Sequence, residues 1–568
     1  MAVAITSTEY DGYRISPVWP ERWGHAALAN ALTGLKSRFP RALELQEIGK
    51  SIEGRAIYEA GVGSGAKRVL LWSQMHGDEP THTEVLMDLL NFLLSAPEHP
   101  VARSLLSQCR LHMIVMLNPD GAERNTRRNA QDIDVNRDAR DLQTPEGRIL
   151  WEAVQRFQPQ FAFNLHNHNA RATAGIEPHP AAVALLAPPV DQEDTENENV
   201  RRAKQLVLTY AEAVKHECPG MVARYNADYM ARAFGEAIQR FGAATVLVEA
   251  GGWSTVDAMP LAQAHFLGMV RTLNAIATDE YLNADPTSYD KLPLSGGREL
   301  FDLLIEGATI TNGLDQPAFK ADIGVNYVDY RGPERGSRGA TIVDLGDLRV
   351  TAGKDKIDGQ GLHCYPGLLA YRPGITPTHM PGRADIVELL KAAVTTLIGS
   401  VDLSDDSDVQ EFAKLESRKL ALNMGFVGDG SGLKGTDRDA HLDRLLRALG
   451  HGLLAVVEET LPPPLVSCCQ WLRVPLVPRE QLARFTVVDG GRFSVNVAAD
   501  ARAAFELLGL KGRGAIQLGA TADLALFSTA GDNGKRSAQP VYLLIGGNIV
   551  FQDGKPRPMP VGQMLRRN

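Results

Sequence analysis

Residues 68–79 read RVLLWSQMHGDE, and this stretch joins a buried strand to two candidate metal ligands. The apolar run Arg68–Trp72 is typical of a strand inside a parallel sheet. Thr81–Leu94, just beyond, carries apolar side chains at helical spacing. His76 and Glu79 therefore form an H-x-x-E pair where a strand gives way to a helix. This spacing lets an imidazole and a carboxylate converge on one point.

Three more strand-like runs follow, and helical segments alternate with them. The predicted strands are Leu111–Leu117, Phe161–Leu165 and Thr245–Val248, and the predicted helices are Val200–Lys215 and Tyr229–Arg240. This alternation predicts an α/β fold with a mixed, mostly parallel sheet and helices on both faces. Functional side chains gather at the carboxyl ends of such strands. Polar motifs follow all four strands, which places one candidate site at that edge of the sheet.

The H-x-x-E pair is weak evidence by itself. Taken alone, such a pair is more often an exposed loop histidine and a first-turn glutamate favoured by the helix dipole. A catalytic zinc ion needs a third protein ligand and one open position. His166, which directly follows the strand FAFNL, is the best candidate for that third ligand.

Residues 118–138, NPDGAERNTRRNAQDIDVNRD, make the pattern specific. The chain carries HGDE, NPDG, RRNAQDIDVNRD, LHNH and LVEAGG in this order, and over residues 40–275 it resembles the zinc carboxypeptidases of the carboxypeptidase A/B family. The resemblance implies a zinc carboxypeptidase-like catalytic domain in residues 1–285 with one zinc ion per chain. It also implies that His76, Glu79 and His166 are the zinc ligands.

The same resemblance assigns roles to four more residues. Arg127 would stabilise the oxyanion, Asn136 and Arg137 would bind the terminal carboxylate of the substrate, and Glu249 would be the general base and acid. The chemistry agrees, because an arginine fork binds a carboxylate with two parallel hydrogen bonds. A carboxylate beside a zinc ion can also take a proton from water and pass it to the leaving amine.

Several assignments stay open at this stage. Arg128 is adjacent to Arg127 and competes with it, although the motif register favours Arg127. His168 follows His166 by two residues and is interpreted as a pocket residue rather than a ligand. The family uses a mobile tyrosine near the scissile bond, for which Tyr229 is slightly preferred over Tyr225.

These features predict a zinc metallocarboxypeptidase that cleaves an amide bond beside a free C-terminal carboxylate. Residues 167–248 carry no clear specificity signature, and the same machinery would cleave a small N-acyl amino acid. A deacylase or amidase is therefore the alternative, and a non-catalytic binding protein on the same fold is a third hypothesis. The expected partner is a peptide or N-acyl amino acid with a free carboxylate.

The second half, residues 286–568, has a different pattern. Its two ends, about 295–372 and 495–568, resemble the β-sandwich of the amidohydrolase superfamily, and a helical insert is predicted at about 373–494. The HxH motif of that family's metal barrel is absent after Pro366–Leu368, and the insert is too short for a (β/α)₈ barrel. We interpret this half as a structural or interaction module, with a possible role in homo-oligomer contacts.

Composition narrows the function classes further. The 568 residues carry a net charge of −9, which disfavours nucleic-acid binding. Five irregularly spaced cysteines do not indicate a disulfide framework. The first twenty residues lack the basic start and apolar run of a secretory signal, and no apolar stretch is long enough to predict a membrane span. We therefore expect a cytoplasmic enzyme that is not bound to a membrane.

Overall fold

The structure is a computed structural model that describes residues 5–17, 22–226, 228–253, 259–312, 316–327, 339–348, 353–415, 420, 422–433, 438–483, 501–528, 540–557 and 565. The chain divides into two compact units. Unit 1 consists mainly of Met1–Leu300, and unit 2 begins at Phe301.

Unit 1 is built on an eight-stranded sheet with a smaller two-stranded sheet beside it. Its strands are β1 (Glu44–Lys50), β2 (Ala56–Val62), β3 (Lys67–Ser73), β4 (Cys109–Ile114), β5 (Phe161–Asn167), β6 (Ala172–Ala174), β7 (Val183–Leu186), β8 (Val222–Arg224), β9 (Ala244–Ala250) and β10 (Ser295–Glu299). The large sheet has the order β1-β2-β4-β3-β5-β9-β7-β8, and β6 pairs with β10. Its four central strands, β4, β3, β5 and β9, are mutually parallel, while β1 and β2 add an antiparallel edge.

Helices cover both faces of this sheet, which confirms the predicted α/β class. The α-helices are α1 (Ser7–Tyr13), α2 (His25–Arg38), α3 (Thr81–Ser95), α4 (Pro100–Gln108), α5 (Pro119–Arg124), α6 (Pro145–Phe157), α7 (Glu198–Val214), α8 (Phe234–Phe241) and α9 (Met259–Ala277). Short 3₁₀ turns occupy Val135–Arg137, Glu280–Asn283 and Pro286–Lys291.

Alternation along β3 explains the two layers. Val69 and Leu71 join the core formed with α3, α7 and α9. Leu70 and Trp72 point the other way, into the core formed with α6 and α8. Successive side chains of a strand face opposite sides of its sheet, so a strand covered on both faces is apolar at every position. This is the pattern that the sequence RVLLW predicts.

A buried carboxylate fixes the N-terminal segment to unit 1. Asp88 of α3 accepts hydrogen bonds from the Tyr10 hydroxyl at 2.9 Å and from the Ile15 and Ser16 amides at 2.8 and 2.9 Å. The Ser16 hydroxyl donates a fourth bond at 2.8 Å. Each of these donors is satisfied only while Asp88 stays in place, so this segment depends on one side chain.

Two predicted helices differ from the observed ones. The helix predicted at Tyr229–Arg240 begins only at Phe234, so Tyr229 lies in the preceding loop. In unit 2, the insert predicted to be helical contains a helix that ends at Lys391 and is followed by a strand from Val394. Ala393 has a φ of +60°, which breaks the helix, and the β-branched run that follows enters a strand.

Unit 2 contains a mixed nine-stranded sheet and a parallel five-stranded sheet. The strands of the first are β11 (Phe301–Ile310), β12 (Phe319–Tyr327), β13 (Ala340–Gly346), β14 (Gly353–Asp358), β15 (Leu362–Pro366), β21 (Leu524–Ser528), β22 (Tyr542–Ile545), β23 (Asn548–Gln552) and β24 (Lys555–Pro556). Strand β15 pairs with β21, so the two ends of this half share one sheet.

The segment between these ends is not purely helical. Its strands are β16 (Leu368–Tyr371), β17 (Val394–Asp402), β18 (Asn423–Asp429), β19 (Ala455–Val457) and β20 (Leu476–Val477), and they are parallel in chain order. The helices in and after this segment are α10 (Arg383–Lys391), α11 (Asp406–Lys414), α12 (Arg438–Gly450), α13 (Pro463–Trp471), α14 (Arg479–Ala483) and α15 (Ala501–Leu507). The sequence analysis found the helices and missed the short buried strands, because periodicity alone does not separate such strands from helix segments.

None of the helices in the described ranges has both the length and the apolar composition to cross a lipid bilayer. All five cysteines are free thiols.

Candidate active site

The candidate site lies at the carboxyl ends of the central strands β3, β5 and β9. His76 follows β3, and His166 and Glu249 lie near the ends of β5 and β9. In the register of these two parallel strands, His166 pairs with Glu249. Residues paired in this way project from the same side of a sheet, so backbone hydrogen bonding fixes these two side chains as neighbours.

Two tight turns shape the floor of the site. The Asn118 side chain accepts a hydrogen bond from the Gly121 amide at 2.9 Å, and the Asn118 backbone amide donates to the Gln74 carbonyl at 3.0 Å. The turn therefore packs against the end of β3. A Cβ atom at Gly77 would collide with the backbone of Gly121, so the HGDE and NPDG turns can approach this closely only with glycine there.

Three buried side chains converge at this point. The Nδ1 atom of His76 lies 2.8 Å from Oε1 of Glu79, and the Nδ1 atom of His166 lies 2.7 Å from Oε2 of the same carboxylate. The two Nδ1 atoms are 3.1 Å apart. All three ligand atoms lie within 4.8 Å of one another, and this is the candidate metal-binding group among the residues that the structure describes.

The donor set fits zinc. Two imidazole nitrogens and one carboxylate are ligands that a hydrolytic zinc site uses, with a fourth position left open. The Asn167 backbone amide donates to Oε2 of Glu79 at 3.1 Å and helps to orient that carboxylate. The three sequence-predicted ligands His76, Glu79 and His166 are therefore brought together.

Asp134 supports two members of the site at once. Its Oδ1 lies 3.0 Å from Nε2 of His76, and its Oδ2 accepts from Nε and Nη2 of Arg127 at 3.1 and 3.0 Å. A carboxylate on the far nitrogen of a ligating imidazole fixes its tautomer and its ring orientation. The sequence analysis did not foresee the contact of Asp134 with His76.

The charges of these groups are strongly coupled. Burial lowers the pKa of His76, but the charge of Glu79 and the hydrogen bond to Asp134 outweigh it and raise this pKa to about 9. Burial opposes ionisation of Glu79, yet the two histidines hold its pKa well below the usual range. For His166 burial dominates, and its pKa is lowered. Only His76 has a second carboxylate at its far nitrogen, which explains why the two histidines shift in opposite directions.

Arg127 rather than Arg128 faces this cluster. Nη1 of Arg127 lies 3.0 Å from Nδ1 of His76 and donates to Oε1 of Glu79 at 3.2 Å. Its side chain keeps 43% of its surface exposed, so the guanidinium borders the open side of the cluster. Arg128 turns outward and donates to the Asp132 carbonyl at 2.7 Å.

Asn136 and Arg137 lie on the 3₁₀ turn next to the ligands. The Nδ2 atom of Asn136 is 3.4 Å from Nε2 of His166, and its Oδ1 accepts from the Phe234 amide at 3.0 Å. Arg137 donates through Nη1 to the Asn136 carbonyl at 2.8 Å. The turn is held from behind by Asp138, which accepts from the amide and the hydroxyl of Thr144 at 2.7 Å.

Glu249 is a buried carboxylate near the end of β9. Its Oε2 atom has no hydrogen-bond partner. Burial and then the negative charge of Glu79 raise its pKa well above the ordinary value. A carboxyl group with a raised pKa is suited to give and take protons near neutral pH.

Tyr225 lies within electrostatic reach of the cluster. Burial and the charges of Glu249 and Glu79 raise the pKa of Tyr225 to about 12. Tyr229 instead contacts Arg240, which donates to its hydroxyl and lies over its ring at 5.9 Å. The role predicted for Tyr229 stays a prediction, and the structure places this residue in the loop before α8, beside Arg240.

His168 takes no part in the ligand group. Its Nε2 lies 3.0 Å from the Ala181 carbonyl, and its ring meets Tyr225 edge-on at 5.9 Å. This is the arrangement expected of a pocket residue beside the site.

Comparison with known proteins adds independent findings. Residues 28–244 match the family model described as zinc carboxypeptidase, a range that includes the three ligands and ends before Glu249. Mouse carboxypeptidase M is 29% identical over 159 residues, covering 24% of this chain and 36% of that protein. Carboxypeptidase E of Caenorhabditis elegans is 30% identical over 188 residues, covering 28% and 39%. The chain thus spans well under half the length of these relatives.

Solved structures give similar matches. A metallo-carboxypeptidase from Burkholderia cenocepacia aligns with a TM-score of 0.38 at 19% identity, covering 46% of this chain and 70% of that one. Carboxypeptidase A from Helicoverpa armigera aligns with a TM-score of 0.38 at 15% identity, covering 48% and 78%. On the strength of the family match and of the curated relatives, residues 28–244 are a zinc carboxypeptidase domain.

Proposed function

We propose that this protein is a zinc-dependent metallocarboxypeptidase that hydrolyses the amide bond next to a free C-terminal carboxylate. The observation that supports this most directly is the convergence of His76, Glu79 and His166 on one point, with Glu249 in register beside them. Neither a loop histidine nor a helix-capping glutamate explains three buried ligand atoms drawn from two strand ends.

His76, Glu79 and His166 would hold the zinc ion. When bound, zinc polarises the scissile carbonyl and makes water a good nucleophile at neutral pH. Asp134 keeps the His76 ring in the orientation that presents Nδ1 to the site. The remaining steps belong to side chains that bind the substrate, balance charge or move protons.

Asn136 and Arg137 bind the terminal carboxylate of the substrate. The fork of Arg137 offers two parallel donors, and Asn136 supplies an amide from a turn that Phe234 and Asp138 hold in place. Fixing the carboxylate places the last amide bond of the substrate beside the ligand cluster. The enzyme gains its preference for chain ends in this way, because an internal peptide bond brings no carboxylate to the clamp.

Glu249 moves the proton. Its unpartnered Oε2 takes a proton from the attacking water, and the raised pKa lets the carboxylic acid persist long enough to protonate the leaving amine. Arg127 borders the same space and stabilises the negative charge that develops on the carbonyl oxygen. Tyr225 lies near both carboxylates and is the better placed tyrosine to contact the substrate.

The test uses the full chain loaded with zinc and three substrates. These are a peptide with a free C-terminus, the same peptide with an amidated C-terminus, and an N-acyl amino acid. We expect cleavage of the first and little or none of the amidated peptide. Equal cleavage of both peptides would contradict the proposal, and cleavage of the N-acyl amino acid alone would identify a deacylase.

A single variant separates chemistry from metal binding. Glu249→Gln should lower kcat by roughly 100- to 10,000-fold, since it removes the proton-transfer group, while zinc content stays near that of the parent protein. Glu152→Gln, at an exposed position of the same unit, is the matched control and should change neither. Full activity of Glu249→Gln would exclude the proposed mechanism.

A further inference from the structure

A second concave surface lies outside the metal cluster. It is a groove of about 580 Å³ formed by α6, α8 and the loops that precede them. Its main lining residues are Arg140, Trp151, Arg240 and Phe241, together with three alanines. This volume falls in the range of small-molecule sites, roughly 300–1,000 Å³. None of the residues to which we assign catalysis lines it.

The groove is cationic in a protein whose net charge is −9. Arg140 and Arg240 are the charged residues of its lining, and no acidic side chain is among the described residues that form it. The ion pair between Arg140 and Asp141 is long at 4.0 Å and joins side chains that are 75% and 66% exposed. Such a pair is worth little, so the Arg140 fork is available to a stronger anionic partner.

Arg240 is already held in position. It donates a hydrogen bond to the Tyr229 hydroxyl, and its guanidinium lies 5.9 Å from the centre of that ring. A planar cation fixed on an aromatic ring loses less side-chain entropy when it binds an anion. This contact also gives Tyr229 a role that does not require it to reach the metal cluster.

The rest of the lining is aromatic and apolar. Trp151 and Phe241 meet edge-to-face with their centroids 5.6 Å apart, and three alanines complete the lining. Aromatic surfaces of this kind favour a flat, aromatic partner. An arginine fork favours a carboxylate, which it binds with two hydrogen bonds.

We propose that this groove is a second binding site, which takes a small aromatic carboxylate with its ring against the surface formed by Trp151 and Phe241 and its anion at Arg140 and Arg240. The site adjoins the segment that carries the clamp, since Arg140 is three residues beyond Arg137 and the Ala139 amide donates to the Arg232 carbonyl at 3.0 Å. Its occupancy does not require the protein to cleave peptides.

The clamp residue Arg137 also attracts carboxylates, so the test removes it first. Zinc-loaded full-length Arg137→Ala protein is titrated with 2-naphthoate by calorimetry. One equivalent should still bind. Arg140→Ala or Arg240→Ala in that background should each weaken binding roughly tenfold, since each removes a charge-assisted bidentate contact. Arg103→Ala, an exposed arginine of α4, is the matched control and should leave affinity unchanged.

Two further titrations test whether the groove selects for an aromatic ring. Acetate and inorganic phosphate lack the ring and should bind at least tenfold more weakly than 2-naphthoate. Trp151→Leu should weaken 2-naphthoate binding and leave acetate binding as it was. If that variant does not fold, the two arginine variants, both at exposed positions, decide the question. Absence of 2-naphthoate binding to Arg137→Ala, unchanged affinity after loss of both groove arginines, or equally tight acetate binding would each overturn the proposal.

Discussion

Replacing Asp134 by asparagine tests how the site depends on a residue outside the ligand set. The change keeps the shape of the side chain and removes its charge. Asp134 contacts Nε2 of His76 at 3.0 Å and two nitrogens of Arg127 at 3.0 and 3.1 Å. His76 is a proposed zinc ligand, and Arg127 is a cation. Hydrogen bonds to a charged group contribute about 1.5–3 kcal/mol, against about 1 kcal/mol for neutral ones. The difference, roughly 0.5–2 kcal/mol for one bond, predicts about a 2- to 30-fold loss of zinc affinity through the His76 contact alone. The usual effect of removing such an outer partner is about 10- to 100-fold.

The assay is competition for zinc between the protein and a chromophoric chelator, with kcat/KM measured on the same samples at saturating zinc. Asp134→Asn should lose affinity in the first measurement and activity in the second, because His76 and Arg127 are both released. The control is Asp132→Asn, two residues away, whose side chain is 91% exposed and lies 3.7 Å from Arg128. Parent-like zinc affinity in Asp134→Asn, or an equal loss in Asp132→Asn, would refute the argument.

Three other outcomes are expected. Arg127→Ala should lower kcat by roughly 100-fold, the usual cost of losing an oxyanion donor, while Arg128→Ala should retain activity; the reverse result in steady-state kinetics would reassign the role. Asp88→Asn should lower the free energy of unfolding by about 2–4 kcal/mol, because it replaces an acceptor of four hydrogen bonds. Both variants are compared with the parent protein by urea titration, and Asp11→Asn, at an exposed position, should leave the free energy of unfolding unchanged. Burial lowers the pKa of His265 to about 4, from 6.5. Between these values the unfolded chain binds a proton that the folded chain excludes, so stability should fall as pH drops from 6.5 to 4, by up to about 3 kcal/mol; a His265→Gln variant with the same slope of urea midpoint against pH would contradict this.

The metal ligands could be predicted from sequence because each follows an apolar strand. The periodicity of RVLLW and FAFNL identified β3 and β5, and the parallel sheet then brought His76 and His166 to one edge. The position of Glu249 follows from the same logic, because β9 is the next strand along from β5. Neighbouring strands of a parallel sheet leave few alternatives for where their ends lie.

Loop geometry could not be predicted in this way. The contact of Asp134 with His76 crosses 58 residues of chain and depends on the tight turns on either side. Tyr225 and Tyr229 are four residues apart in the same segment, and the sequence around them does not show which one faces the site. Their environments depend on where α8 begins, which is at Phe234. In unit 2, β19 and β20 are three and two residues long, too short to show a period. Strands β17 and β18 are longer but buried along almost their whole length, so they show no alternation that would distinguish them from buried helix segments.

The separation of the ligands along the chain has a thermodynamic consequence. His76 and His166 are 90 residues apart, yet their Nδ1 atoms lie 3.1 Å from each other. An ion bound to both would close a ring of that length and act as a staple, in the way that a cross-link restricts an unfolded polymer. The supply of zinc would then set the stability of the fold as well as the activity of the enzyme. Without the ion, the two histidines are no longer cross-linked, and the unfolded chain regains the entropy that this cross-link removes.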